Sequence, residues 1–167
     1  MKKTTLIIAA LALGAISLTA QDRKSPHEVV TASIGEHNVE ISYGRPYAKG
    51  RKIMGGLVPF GEVWRTGADE ASTLTTPVDL KIGDLDVPAG EYSLFTVPTS
   101  EGWQLIVNRT AKQWGAFKYD AKMDLGRTAM TVGEPFDSVE QFTIAVEDDM
   151  IIMSWETTTA SVPIRQK

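Results

Sequence analysis

Apolar and polar positions alternate with a period of two along most of this chain. Val29 to Ile34, then Val39, Ile41 and Tyr43 alternating with Glu40 and Ser42, predict two strands joined by the four-residue turn Gly35-Glu36-His37-Asn38. Ser72 to Thr76 is β-branched and predicts another strand. The sharpest local signal is Leu80-Lys81-Ile82, Gly83-Asp84, Leu85-Asp86-Val87, two alternating segments around a Gly-first loop. That is type II′ turn chemistry, and it sets Ile82 opposite Leu85 and Leu80 opposite Val87. Pro88 and Gly90 turn the chain into Tyr92 to Val97. Trp103 to Val107, Arg127 to Val132, Glu140 to Val146, Met150 to Trp155 and Ala160 to Ile164 complete the alternating segments. About nine or ten strands with turn residues between them and no clear helix predict an all-β fold, an antiparallel β-sandwich or jelly roll.

Two stretches break the alternation. From Tyr43 to Ser72 the chain carries six glycines, three arginines and one tryptophan without an apolar period. Loops of that length are uncommon in compact domains unless they are functional or disordered. Ile53, Met54, Leu57, Val58, Phe60, Val63 and Trp64 supply apolar area to bury, which predicts an ordered loop over 44–71. The second stretch, 108–126, is also irregular, with room for a helical turn. Trp103 and Trp155 lie on alternating segments and are expected in the core. Trp64 and Trp114 lie in the irregular stretches, where each either plugs one end of the fold or offers a stacking platform. If the two stretches meet at one end, Tyr47, Trp64, Arg65, Asn108, Trp114 and Tyr119 line a single cleft.

Composition narrows the setting. Lys2 and Lys3 precede an apolar run from Leu6 to Leu18, with Ala20 before Gln21, which reads as a cleaved bacterial signal peptide over residues 1–20. The run is too short to span a bilayer, so the processed chain is not expected to be an integral membrane protein. Residues 21–27 form a polar lead-in and 28–167 a single domain, exported to the periplasm or beyond. The net charge of −4 becomes −6 once the two leader lysines are removed, which argues against a nucleic-acid partner. No cysteine is present, so thiol chemistry, thiolate metal sites and disulfides are excluded.

With only His27 and His37, a three-histidine zinc site is excluded as well, and no metal or other cofactor is expected. His27-Glu28 begins like a metalloprotease helix, but Thr31 stands where the second histidine belongs. Asn108-Arg109-Thr110 fits a glycosylation acceptor by accident of composition. What remains is carboxylate chemistry. Glu62, Asp69 and Glu70 lie beside Trp64 and Arg65, a set suited to glycoside cleavage, with His27 as an outside candidate base. The plainer expectation is that Arg45, Arg51 and Arg65 pair with those acids and brace the loop. An arginine left unpaired by that bracing would clamp a carboxylate or phosphate ligand.

The run from Tyr43 to Ser72, above all GGLVPFGEVWRTGADEAS, together with GEYSLFTVP at 90–98 and NRTAKQWGAFKYD at 108–120, resembles domain-of-unknown-function family 2911. The resemblance covers most of the mature chain in the right order and implies an exported all-β domain of unestablished role. Where that family's pattern commonly has an asparagine, this chain has Asp69, which adds an acid to the loop. The leading expectation is a non-catalytic module binding a small molecule, glycan or envelope partner. A glycan hydrolase and a purely structural envelope component are the alternatives, and nothing in the sequence fixes the oligomeric state.

Overall fold

The computed structural model describes residues 24–167; the signal-peptide reading of 1–20 lies outside them. Eleven strands form: β1 (His27–Ile34), β2 (His37–Gly44), β3 (Ser72–Thr76), β4 (Leu80–Ile82), β5 (Leu85–Val87), β6 (Gly90–Pro98), β7 (Trp103–Asn108), β8 (Asp124–Gly133), β9 (Val139–Glu147), β10 (Met150–Glu156) and β11 (Thr158–Gln166). They make one antiparallel sheet, nearly closed on itself, in the order β1-β2-β3-β6-β7-β8-β11-β10-β9. The β4–β5 hairpin joins off that path through Ile164↔Ile82.

The hairpin at Gly83-Asp84 forms in the expected register, Ile82 opposite Leu85 and Leu80 opposite Val87. Gly83 has φ 54°, as the first position of a type II′ turn requires. The first hairpin is tighter than expected. Ile34 pairs with His37, so the turn is Gly35-Glu36 alone, and His37 and Asn38 belong to β2. β8 starts at Asp124, three residues before the expected start at Arg127, directly after a 3₁₀ turn at Ala121–Met123.

Inward-facing residues of the sheet meet in a main core that includes Ile41, Leu74, Leu94, Leu105, Ile151 and Ile164, all fully buried, and a smaller cluster forms around Ala71, Phe95 and Ile106. Trp103 and Trp155 are in the main core, as their alternating contexts predict. Trp64 joins them, although it lies in the long loop. Its ring stacks on Trp155 at 5.9 Å and meets Trp103 and Phe142 edge-on at 6.1 and 5.0 Å. Such rings bury 150–250 Å² each and add specific pairwise attraction. Trp64 therefore plugs the sheet.

The start of the loop also closes the seam between the two ends of the sheet. Phe142 N donates to Pro46 O at 2.9 Å and Ala48 N to Glu140 O at 2.7 Å, so residues 46–48 run antiparallel along β9. Arg45 spans the same gap: it pairs with Glu28 of β1 and donates to Phe142 O (3.1 Å) and Thr143 Oγ1 (2.9 Å) of β9. Tyr43 adds a bond from inside, its hydroxyl accepting from Ile144 N at 3.0 Å. Burial raises that hydroxyl above the ordinary tyrosine range.

Candidate functional site

The long loop, residues 45–71, is ordered by its backbone. Trp64 and Thr96 of β6 exchange two backbone hydrogen bonds, Trp64 N to Thr96 O at 2.8 Å and Thr96 N to Trp64 O at 2.9 Å, and Gly61 N donates to Pro98 O at 2.8 Å. Residues 52–58 fold into a compact turn in which Val58 N donates to Ile53 O, while Ile53 N donates to the Glu156 carboxylate. At the far end a close approach decides the path. A Cβ on Gly44 would lie 2.3 Å from Ala68 O, so only glycine at the end of β2 lets the turn at 66–69 seat against it. Thr66 and Asp69 in that turn have φ 58° and 62°, a region non-glycine residues rarely adopt.

This packing opens a cleft of about 570 Å³ on the loop's outer side, within the usual size of small-molecule sites. Tyr47, Arg51, Trp64 and Arg65 line it together with Trp155 and Asp69. Lys24 and Lys49 add two more cations, so four basic side chains face one acid on a protein whose net charge is negative. Two buried donors among the lining residues have no hydrogen-bond acceptor, Arg65 Nε and Trp155 Nε1. Buried polar groups are nearly always satisfied, so each exception calls for an explanation.

Bracing follows a different pattern from the one the sequence suggests. Arg45 pairs with Glu28, and Arg51 donates to the backbone oxygens of Ala48 and Tyr47. Among the described residues no ion pair joins Arg45, Arg51 or Arg65 to Glu62, Asp69 or Glu70, because backbone bonds already fix the loop. Glu62 is exposed and lines neither this cleft nor the smaller one beside it.

His27, Asp69 and Glu70 do come together. His27 opens β1 instead of lying in a lead-in, and its Nε2 stands 3.1 Å from Glu70 Oε2 and 3.8 Å from Asp69 Oδ2. Backbone bonds hold the two acids: Gly115 N donates to Asp69 O at 3.0 Å, and Glu70 bridges to Trp114. The second irregular stretch thus meets the first, as a convergent site requires.

It meets it from behind, however, and Asn108, Trp114 and Tyr119 do not line the cleft. Asn108 is fully buried, and its amide donates to Asp120 O and Asp124 Oδ1. That burial also removes it as a glycosylation acceptor. Tyr119 packs on Phe95 and donates to Asp124 Oδ2 at 2.7 Å, with Arg127 bonded to both. Burial, reinforced by the Asp124 carboxylate, pushes its hydroxyl up to about 12. Trp114 is exposed and contributes backbone only. Among the lining residues that sequence reasoning missed are Lys24, Lys49 and Trp155. Lys24 and Lys49 carry no local pattern, and Trp155 has the alternation of a core residue.

A family model described as "Protein of unknown function (DUF2911)" matches residues 25–164. The chain belongs to the DUF2911 family. The match spans every strand that contributes to the DUF2911 cleft, and the loop from 45 to 71 lies wholly inside it. No curated protein and no solved structure matches this DUF2911 chain.

Proposed function

We propose that the protein is an exported, non-catalytic binding module whose cleft takes a small anionic molecule, a carboxylate or phosphate ester. Arg65 carries this reading. Its guanidinium has no hydrogen-bond or ion-pair partner among the described residues, and its Nε is shut from water without an acceptor. Arginine is the side chain whose fixed fork matches a carboxylate or phosphate bidentately. Lys24, Lys49 and Arg51 place three more positive charges around it, and Trp155 Nε1 is a second unsatisfied donor. The sequence supplies the export step, through its leader-like first twenty residues.

The hydrolase reading has less behind it. Asp69 and Glu70 are neighbours that share one histidine, whereas glycoside cleavage needs carboxyls flanking the sugar. A purely structural role leaves the cleft and its unpaired donors without a use.

Thermal-shift measurements on the purified protein test the proposal, because a ligand of the folded state raises the melting temperature. Phosphate, small dicarboxylates and sugar acids should raise it, and neutral sugars should not. Arg65→Ala should abolish the shift while the protein stays folded. Stabilisation by neutral glycans alone, or an anion response indifferent to Arg65→Ala, would overturn the reading.

A further inference from the structure

The His27–Asp69–Glu70 cluster stands where the two clefts back onto each other. Asp69 lines the larger; His27 and Glu70 line the smaller, of about 420 Å³. His27 Nε2 lies within ion-pair distance of both carboxylates, 3.1 Å from Glu70 and 3.8 Å from Asp69, but no hydrogen bond accounts for Asp69. Asp69 Oδ2 is shut from water and accepts no hydrogen bond, and at 3.8 Å from His27 Nε2 it is beyond hydrogen-bond range. An unsatisfied buried acceptor is costly, more so when charged. The carboxylate is nevertheless held there by bonds from three sides: Gly115 N to Asp69 O, Ala68 N to Gly44 O and Ala71 N to Gln113 O.

We infer that His27 Nε2, Asp69 Oδ2 and Glu70 Oε2 form a binding site for one divalent transition-metal ion of the zinc, iron and manganese class. One donor atom from each residue lies within 4.8 Å of the others. Metal–ligand bonds of about 2.0–2.2 Å at tetrahedral to octahedral angles separate neighbouring ligand atoms by roughly 3.0–3.5 Å. The 3.1 and 3.8 Å separations are already close to that, and modest side-chain rotation completes the set. The excluded three-histidine site does not bear on this one, which needs a single imidazole and two carboxylates. Imidazole selects transition ions over magnesium and calcium, and the lack of thiolates selects against copper(I). Three protein ligands leave coordination positions open, and the adjoining clefts give the ion an entry path. The inference goes beyond the anion reading and takes only Asp69, the one acid, from the lining of the larger cleft.

The test is metal binding to the purified protein after chelator treatment, in a buffer free of coordinating anions. Calorimetry and competition with a chromophoric chelator should give one Zn²⁺ or Co²⁺ per chain, bound more tightly than Mg²⁺ or Ca²⁺. Bound Co²⁺ should show visible absorption bands. Asp69→Asn is isosteric, and asparagine tolerates a left-handed backbone, so this variant should fold; it and Glu70→Gln should each weaken Zn²⁺ at least about tenfold. Circular dichroism confirms that each variant is folded. A simple histidine–carboxylate brace predicts no zinc binding, and that result would overturn the inference. Binding indifferent to both variants, or a preference for calcium or magnesium, would do the same. Arg65→Ala leaves the three ligands in place and should bind Zn²⁺ normally, so the failure of either proposal is read separately.

Discussion

The segment between β2 and β3 and the segment between β7 and β8 look alike as sequence: irregular, glycine-bearing, each with one tryptophan, at least one arginine and at least one acid. In the fold they are held by different means. Residues 109–123 have backbone bonds to the first segment at Gln113 and Gly115, and their polar side chains are used as well: Asn108, Asp124, Tyr119 and Arg127 close a network among themselves, and Gln113 Oε1 is left unsatisfied nearby. Residues 45–71 are held mainly by backbone bonds to β6 and β9, by Arg45 and by one tryptophan wedge, which leaves Arg65 Nε and Asp69 Oδ2 without a hydrogen bond. A loop whose main chain does the holding keeps its side chains available for something else. Unpaired polar groups, rather than loop length or glycine content, therefore separate a candidate site from architecture.

Substitutions sharpen that contrast. The largest effect is expected at the wedge: Trp64→Ala should cost about 3–5 kcal/mol, read as a lower urea midpoint, because it removes the ring that Trp155, Trp103 and Phe142 enclose. A stable Trp64→Ala protein would mean the backbone bonds alone hold the loop. Asn108→Ala should cost about 1–3 kcal/mol by leaving Asp120 O and Asp124 Oδ1 without their donor. It should leave anion and metal binding unchanged at temperatures where the protein is folded.

Alkaline titration probes the same network more gently. Tyr119 ionises at about 12 in the folded protein against an ordinary value near 10, so the folded state holds its proton more tightly. Its contribution is fully present below about pH 10 and is lost as pH rises from there towards 12. Tyrosine absorbance should show a late-ionising group, and Tyr119→Phe should remove both it and its share of the alkaline destabilisation. Smallest of all, Arg65→Ala should change stability by no more than about 0.5 kcal/mol, since no side-chain hydrogen bond or ion pair among the described residues is broken, while it abolishes the anion response. A large loss of stability there would show that Arg65 is structural.

Where the chemistry is local, the fold is legible in the sequence. The Gly83-Asp84 register follows from a turn type that two residues specify. Polar residues inside strands obscure boundaries: His37 and Asn38 look like turn, and Asp124 to Gly126 lack β-branching, yet both segments are strand because their partners impose it. The site is legible as a parts list only. His27, Asp69, Glu70 and Arg65 stand out as residue types, but their grouping depends on the Gly44–Ala68 approach and on the bridge from Glu70 to Trp114. Both are long-range, and no window of sequence contains them. Trp64 was undecidable for the same reason, since its neighbours Trp103, Phe142 and Trp155 come from three different strands.

The strip at 46–48 that runs along β9 ties the loop to the protein's colloidal behaviour. β9 ends the order of strands, and an uncovered margin of that kind recruits strands from other molecules. Peeling the strip away would dismantle the cleft and at the same time expose a template for polymerisation. The strand pairing that covers β9 therefore also keeps the cleft loop seated, whether or not a ligand is present.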